Sequence, residues 1–392
     1  MPWYKEVDQY KEELIEIRRY LHMHPELSFK ETNTAKYIAN YLESINIPVF
    51  KNIGGNGLYG ILEGALPGPT VLLRADFDAL PIQDEKDVPY KSQTPGVMHA
   101  CGHDGHTAML LITAKILMNH KEQLKGKVIL CHQHAEEVLP GGAQSMINAG
   151  ILDGVDYVFG THTSSNLNSN AVSFTAGPAY AFADAFTIDI KGLGGHGAAP
   201  HTTHDAIIAA SFLITQLQTI VSRSVDPIET GVLTIGEFNS GDAFNVIAET
   251  AYLSGTLRTY HPEIKHHMIK RMKEIIEGIE KAYNAQIKLN YTDGYPALIN
   301  SERETQWLKN LSETIDDIQF IEDGTPSLGG EDFAYFLLER PGCYFNTGVR
   351  NEHLKADFPH HHPKFDMDEN GLLNGVRVFI HLIEHMDELN KD

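Results

Sequence analysis

The sequence predicts an α/β protein: a large domain with a central mixed sheet flanked by helices, and an inserted ferredoxin-like α+β lobe. In the first half of the chain, strand-like segments alternate with helical ones, which is typical of a sheet with helices on both faces. Near Gly177 the pattern changes to a β-α-β-β-α-β order, the split βαβ arrangement. From about Thr292 the first pattern returns. We therefore expect a discontinuous large domain over residues 1–180 and 292–392, and the lobe over 181–291.

The large domain is expected to begin with two helices, over residues 5–22 and 31–45, where apolar side chains recur at helical spacing. Two short strands, 58–63 and 70–75, flank a turn rich in Gly and Pro. The next segments are a helix from 104 or 105 to about 120, a strand over 127–132, a helix after Gly141-Gly142 and a strand that ends at His162. Acidic residues and histidine stand at the ends of these strands, where ligands bind in such sheets.

In the lobe we expect strands over 186–191, 231–239, 251–260 and 286–291, and helices over 205–221 and 262–283. The second of these helices carries a stripe of Ile and Met at helical spacing from Ile264 to Ile279. A segment of about 110 residues is long enough to form a small domain of its own.

Composition indicates an ordinary soluble protein. The 392 residues suffice for two or three domains, and 42% are hydrophobic and 21% charged. A formal net charge of -21 argues against nucleic-acid binding, because phosphates would repel such a surface. Three cysteines fit a reducing compartment, and the charged N-terminal segment has no apolar region typical of a signal peptide. Together with the lack of a long uncharged apolar stretch, this predicts a cytoplasmic protein without membrane contact.

The densest group of candidate ligands lies in the stretch His99–His106, with the sequence HACGHDGH. It combines a thiol, three imidazoles and a carboxylate directly before an apolar helix. Sulfur, imidazole and carboxylate donors together suit zinc or another late first-row divalent ion. Taken alone, the same residues could equally cap or pack the helix.

Further donors stand at Glu136-Glu137, at His162 and in the run His360-His361-His362. Each could also be purely structural. The glutamate pair could lie in a solvated loop, His162 could be a core histidine, and the three consecutive histidines could form a surface turn. Together with Cys101 and His103 they would be enough to hold two divalent ions and leave positions open for water and substrate. Two adjacent glutamates also suit hydrolysis, since one can bind metal while the other acts as general base.

Several motifs resemble the M20 family of metallopeptidases, and most closely its amidohydrolase branch of hippurate hydrolases, auxin-conjugate hydrolases and N-acetyl-diaminopimelate deacetylases. They run in family order over nearly the whole chain: LRADFDALP at 73–81, HACGHD at 99–104, AEE at 135–137 with GGA at 141–143, GHGAAPH at 195–201, GEDF at 330–333 and HHPKFD at 361–366.

The resemblance implies a metal-dependent enzyme with two divalent ions per subunit, zinc or manganese, with cobalt or nickel as alternatives. The implied ligands are Cys101, His103, Glu137, His162 and His361. Glu136 is implied as the base that activates the metal-bound water and later protonates the leaving amine.

Two assignments depend on small details of the family pattern. His361 is preferred to His362 because the family ligand stands two residues before the proline. In the broader family an aspartate two residues after a ligating histidine orients that ligand. Here Asp76 and Asp78 occupy the matching positions, so Asp78 is the orienting candidate although the histidine itself is absent.

The inserted lobe resembles the family's dimerisation lobe, which implies a homodimer or a higher homo-oligomer. By resemblance, His196 stabilises the tetrahedral oxyanion, either within its own subunit or in the site of the partner subunit. Asn245 matches a substrate-binding position, and Arg258 matches an arginine that can clamp a substrate carboxylate. Ala248 replaces the proline usual in the family after Asn-Val-Ile.

These observations favour hydrolysis of the amide bond of N-acyl amino acids or similar small amides, with a short peptide as another substrate class. An aminopeptidase or dipeptidase of the same fold is the alternative. A non-catalytic metal-binding member is disfavoured because a binder has no need of Glu136. A Cys101 nucleophile with His103 as its base is disfavoured because one intervening residue gives that pair poor geometry.

Overall fold

The computed structural model describes residues 2–390, which form two compact units. The first unit comprises Met1–Ala179, Ile299–Pro326 and Asp332–Asp392, and the second comprises Tyr180–Leu298 and Ser327–Glu331. The α-helices are α1 (Lys11–Met23), α2 (Thr32–Ser44), α3 (His103–Asn119), α4 (Ala143–Asn148), α5 (Ala206–Thr219), α6 (Pro262–Tyr283), α7 (Glu302–Ser312), α8 (Ala334–Glu339) and α9 (Leu372–Glu384).

The strands are β1 (Val49–Ile53), β2 (Gly57–Glu63), β3 (Leu66–Asp76), β4 (Lys125–Gln133), β5 (Tyr157–Asn168), β6 (Ala171–Phe174), β7 (Gly177–Tyr180), β8 (Asp184–Lys191), β9 (Gly195–His196), β10 (Gly231–Ser240), β11 (Val246–Ile247), β12 (Thr250–Thr259), β13 (Gln286–Thr292), β14 (Leu298–Asn300), β15 (Phe320–Asp323) and β16 (Gly342–Arg350). Short 3-10 segments include Trp3–Tyr10, which directly precedes α1.

The first unit is organised around a mixed sheet in the order β1-β2-β4-β3-β5-β16-β6-β15. The central strands β4, β3, β5 and β16 pair in parallel, and the pair β1–β2 is antiparallel. Almost all residues of helix α3 are buried, because the helix itself carries mostly apolar and small side chains on all of its faces. The predicted α/β class with a mixed sheet flanked by helices is confirmed.

Two strands of this sheet are longer than predicted. Strand β5 does not end at His162 but continues to Asn168, since β16 extends the pairing through Gly348↔Ser164 and Arg350↔Asn168. That partner lies far along the chain, so the sequence around His162 does not reveal it. Strand β3 likewise begins at Leu66, inside the predicted turn.

The second unit contains the antiparallel sheet β10-β12-β8-β13, with α5 and α6 between its strands in the chain. The order along the chain is β8-α5-β10-β12-α6-β13, which is the split βαβ arrangement. Apolar side chains of both helices share one buried cluster with this sheet, including Leu213, Leu217, Met268 and Met272.

One segment among the described residues, Ala206–Ser224, is long and apolar enough to cross a membrane by length and composition. It comprises α5 and the π-helical segment Ile220–Ser224 that follows. A core helix of a soluble protein passes the same test, and here Ala206, Ala209, Leu213 and Leu217 pack into the second unit. The expectation of no membrane-spanning segment stays a prediction.

Candidate metal-binding and catalytic site

The candidate site lies at the carboxyl edge of the central strands of the first unit. Strands β3 and β4 are parallel and end in register, with Asp76 opposite Gln133. The residues that follow them, including Asp78 and Glu137, therefore meet at one edge. Helix α3 begins there at His103, preceded by Gly102 with φ 93°, where an added Cβ would lie 2.2 Å from Oγ1 of Thr163. Only glycine fits this turn, which places Cys101 and His103 side by side.

A first group of donors consists of Cys101, His103 and His162, whose ligand atoms all lie within 4.8 Å of one another. Sγ of Cys101 is 3.5 Å from Nε2 of His162. Nδ1 of His162 lies 2.6 Å from the carbonyl oxygen of Thr163. A carbonyl only accepts, so Nδ1 carries the proton and Nε2 offers its lone pair toward the thiol.

A second group consists of Cys101, Glu137 and His361, again with ligand atoms within 4.8 Å. Nε2 of His361 is 3.5 Å from Oε1 of Glu137. Because Cys101 belongs to both groups, the structure contains two overlapping sets of three donors. A thiolate at the shared position could contact ions in both sets.

The contacts of His103 leave an unsatisfied nitrogen in the centre of the site. Its Nδ1 lies 2.9 Å from the carbonyl oxygen of Asp78 and 3.2 Å from Oδ1 of the same residue, so Nδ1 donates. Nε2 has no hydrogen-bond partner, and neither has Oε1 of Glu137, 3.7 Å away. A buried imidazole nitrogen and a buried carboxylate oxygen that face each other without a hydrogen bond indicate a position for a cation, either a proton on Nε2 or a metal ion in its place.

The electrostatics of the site agree with that conclusion. Burial lowers the pKa of His103, but Asp76, Asp78 and Glu137 outweigh it and raise this pKa to about 10. Burial, reinforced by Glu137, raises the pKa of the Cys101 thiol well above its usual range. Without a cation nearby the thiolate is therefore disfavoured, which argues further against Cys101 as a free nucleophile.

Glu136 borders the same space. One of its carboxylate oxygens lies within 4.8 Å of donors of His103 and Glu137, and the residue is only 6% exposed. The preceding residue, Ala135, has φ 50°, a left-handed conformation that a non-glycine residue adopts only when its surroundings hold it.

Two buried carboxylates hold this turn. Oε1 of Glu31 accepts the N–H of Ala135 at 2.9 Å, and Oδ2 of Asp78 accepts the N–H of Glu137 at 3.0 Å. Asp78 thus contacts both His103 and the backbone of Glu137. The orienting position predicted for Asp78 is compatible with these contacts.

Of the three consecutive late histidines, the structure places His361 beside Glu137. Its φ of 64° and its N–H bond to the carbonyl of Ala100 fix the loop against the α3 turn. Nδ1 of His362 instead accepts the N–H of Lys364 at 3.0 Å, while its ring stacks on Phe358. The choice of His361 over His362 is therefore favoured by geometry.

Sequence reasoning gave no role to His106, which the structure places between β3 and β5. Its Nε2 accepts the N–H of Thr163 at 2.9 Å, so its Nδ1 donates to Oδ1 of Asp76 at 2.6 Å. Both ring nitrogens are engaged, and burial lowers its pKa to about 4. His106 therefore fixes Asp76 and β5 rather than offering a free donor. The feature of the sequence that points to His106 is a further histidine one turn after His103, directly before an apolar run.

The remaining predicted residues, His196, Asn245 and Arg258, lie in the second unit. His196 on β9 pairs with Val246 on β11, and the N–H of Gly197 bonds to the carbonyl of Asn245, so His196 and Asn245 are neighbours. Arg258 lies on β12, where burial lowers its pKa although Asp184 acts in the opposite direction.

Comparison with known proteins identifies the family. The model described as peptidase family M20/M25/M40 matches residues 72–385. This chain belongs to that family. Within it, YhaA of Bacillus subtilis (strain 168), provisionally named an amidohydrolase, is 47% identical over 374 residues, covering 95% of this chain and 94% of YhaA.

Other members of peptidase family M20/M25/M40 have more specific names. An N-acyl-L-amino acid amidohydrolase of Geobacillus stearothermophilus is 44% identical over 294 residues, covering 75% of this chain and 80% of that protein. The solved structure of the Bacillus subtilis YXEP protein, described as a dinuclear metal-binding peptidase of the M20 family, superposes with a TM-score of 0.85. It is 32% identical and covers 97% of this chain and 99% of its own. The chain is thus a hydrolase of this family.

Proposed function

We propose that this protein is a metal-dependent amidohydrolase that cleaves N-acyl amino acids or similar small amides into an acid and an amine. The observation that carries the proposal is the pair of donor groups sharing Cys101, with Glu136 at their border. The names of the Geobacillus stearothermophilus and Bacillus subtilis relatives support the substrate class and the use of two metal ions.

The donor set fits two divalent ions, zinc or manganese, with cobalt or nickel as alternatives. Imidazole nitrogens, a carboxylate and a thiol are suitable donors, and the unpartnered Nε2 of His103 and Oε1 of Glu137 face each other. Cys101, His103, Glu137, His162 and His361 would hold the ions. When bound, such ions polarise the scissile carbonyl and make water a stronger nucleophile.

Glu136 takes the proton of the attacking water in this proposal and returns it to the nitrogen of the departing amine. Its carboxylate lies close to the donors but is not needed as one of them, since Glu137 supplies the carboxylate of the second group. The contacts of Glu31 and Asp78 around Ala135 and Glu137 hold the base in position.

His196 is proposed to donate a hydrogen bond to the oxyanion of the tetrahedral intermediate. Its Nδ1 accepts the N–H of Ala198 at 3.0 Å, which leaves the proton of the neutral ring on Nε2. This tautomer is the one that an oxyanion requires. Asn245 and Arg258 are proposed to bind the substrate. Arg258 would contact the carboxylate of the substrate.

We also propose that two copies associate through the exposed face of α5. Ile207, Ile208 and Phe212 are 37%, 44% and 49% exposed there, an apolar patch unusual for a monomer. Sedimentation of the intact protein should give a dimer, and Phe212→Ser should shift it toward monomer. A fully active monomer that keeps its rate on dilution would contradict a role of His196 in the site of the partner subunit.

The deciding experiment measures amine release from N-acetyl and N-benzoyl amino acids and from plain dipeptides. The protein is stripped with a chelator and reloaded with zinc, manganese, cobalt or nickel. Metal-restored cleavage of an acyl class supports the proposal. Cleavage of dipeptides alone would support the peptidase alternative instead. No amine release from any of these substrates, with metal bound, would contradict the proposed function.

A further inference from the structure

A second cluster of metal-type donors lies at the carboxyl end of α9, outside the residues assigned to catalysis. It consists of His381, Glu384 and His385, whose potential ligand atoms lie within 4.8 Å of one another. The spacing of three and four residues places all three side chains on one face of the helix. The backbone N–H of Trp3 bonds to Oε2 of Glu384 at 3.2 Å, so the N-terminal segment lies against the cluster.

The hydrogen bonds of His381 determine which of its nitrogens has a lone pair. Oγ1 of Thr314 lies 2.7 Å from the carbonyl of Leu311, to which it donates its only proton. Oγ1 therefore accepts from Nε2 of His381, 2.8 Å away, and Nδ1 of the neutral ring is unprotonated. This buried Nδ1 has no hydrogen-bond partner, and it is 3.5 Å from Oε2 of Glu384.

His385 is fixed in a complementary way. Its Nδ1 lies 3.0 Å from the carbonyl oxygen of His381 and must donate to it, so Nε2 has the lone pair. A backbone carbonyl that binds one ring nitrogen is the usual device that orients a ligating imidazole. The two imidazole rings are 4.4 Å apart between centroids.

The charge around the cluster favours a cation. Oε2 of Glu384 accepts the N–H of Trp3, which favours the ionised carboxylate. The cluster also occupies the carboxyl end of α9, where the helix dipole is negative. Two imidazole rings and a carboxylate thus lie within reach of one ion.

We propose that His381, Glu384 and His385 form a separate site for a borderline divalent ion such as zinc, nickel or copper. Imidazole nitrogens with one carboxylate suit these ions. Bonds of about 2.0–2.2 Å require the three donors to close inward, which the partly exposed side chains of Glu384 and His385 permit. Because Glu384 also holds the N-terminal segment through Trp3, an ion there stabilises the attachment of that segment to α9.

The test counts bound metal per chain in the full-length protein after equilibration with zinc and removal of free ion. The wild type is compared with Glu384→Gln and His385→Gln, and with His266→Gln, which removes an exposed histidine from α6 as a matched control. Each of the first two variants should bind about one equivalent less than the wild type, and the control should bind the same amount. Since all four proteins keep Cys101 and its neighbours, the difference does not depend on how much metal the catalytic site holds.

Thermal unfolding gives an independent readout. Zinc should raise the midpoint of the wild type by more than that of His385→Gln, while in chelator the two midpoints should be close. Equal stoichiometry in the wild type and both site variants would overturn the proposal, as would an equal loss in the His266 control. In either case the cluster binds no ion and only helps to hold the N-terminal segment through Glu384.

Discussion

Two buried polar clusters lie side by side in the first unit, and they differ in how their charges are balanced. In one, the fully buried guanidinium of Arg18 contacts Asp366 at 2.9 Å, Glu369 at 3.2 Å and Asp104 at 3.0 Å. Asp104 also contacts Nδ1 of His22 at 2.7 Å. In the other, one residue earlier, Nε2 of His103 faces Oε1 of Glu137 at 3.7 Å, and neither atom has a hydrogen-bond partner.

The difference separates a structural network from a binding site. Arg18 and His22 outweigh the effect of burial on Asp104 and hold its pKa far below the usual range, so that charge is compensated within the protein. Around His103, by contrast, Asp76, Asp78 and Glu137 raise the pKa of the imidazole to about 10, so the negative charge is balanced by a proton that a metal ion can replace. Burial and polarity alone do not distinguish the two clusters, whereas the pairing of charges does.

The largest effect should come from Glu136→Gln, which removes the proposed base but leaves the donors in place. Since the amide cannot accept the proton of water, kcat should fall by about 10²–10⁴-fold. Bound metal per chain should not change, and Glu137→Gln serves as the contrast that loses metal. Activity near the wild-type level in Glu136→Gln would move the base elsewhere.

The next prediction compares the stability contributions of the two clusters in protein from which metal has been removed with a chelator. Asp104→Asn removes one of the three carboxylates around Arg18 and the partner of Nδ1 of His22, and it should lower the free energy of unfolding by about 3–5 kcal/mol. Glu137→Gln removes a carboxylate that faces the proton of His103 at 3.7 Å without a hydrogen bond, so the loss should be smaller. Urea unfolding of both variants measures the difference, and equal losses would show that the clusters are not distinct.

A smaller effect concerns pH in the absence of metal. The pKa of His103 is about 10 when folded, against an ordinary value of 6.5, so the folded state binds this proton more tightly than the unfolded chain. The resulting stabilisation is complete below about pH 6.5 and is lost as pH rises toward 10. The urea midpoint of chelated protein should fall over that range, and His103→Gln should flatten the curve. Identical curves would contradict the assigned charge at Nε2.

The smallest effect is expected at Glu31, which holds Ala135 by a hydrogen bond and also accepts one from Nδ2 of Asn56. Glu31→Gln turns an amide group toward Asn56 and loosens the turn, so kcat should fall by about tenfold while bound metal is kept. Glu26→Gln is the control, because Glu26 binds the N–H of Thr34 in α2 instead. A kcat loss in the control as large as in Glu31→Gln would assign the effect to general loosening.

The sequence was sufficient for the elements that depend on neighbouring residues. The α/β alternation, the helix after the HACGHD motif and the donors at Cys101 and His103 all follow from local spacing and motif. The Arg18 network was not predicted, because its partners at Asp104 and Asp366 are far away in sequence. Its only local trace is that Arg18 and His22 interrupt the apolar stripe of α1 formed by Leu14, Ile17 and Leu21.

The tautomers of the histidines in the candidate site could not be predicted from the sequence either. Which ring nitrogen of His103 or His106 meets a backbone group is decided by residues distant in sequence, the carbonyl of Asp78 for His103 and the N–H of Thr163 on β5 for His106. The role of His106 is the clearest case, since the motif places it among ligands while Thr163 occupies its Nε2.

The position of β16 has a consequence for biosynthesis. This strand leaves the ribosome after β1 to β6 and the whole second antiparallel sheet, yet it lies inside the first sheet between β5 and β6. Until it arrives, the growing chain presents the unpaired edge of β5, a surface prone to pairing with other chains. His361 emerges after β16, so the second donor group can be completed only once this strand has been synthesised. A product truncated before β16 would lack both the strand that covers β5 and a candidate ligand.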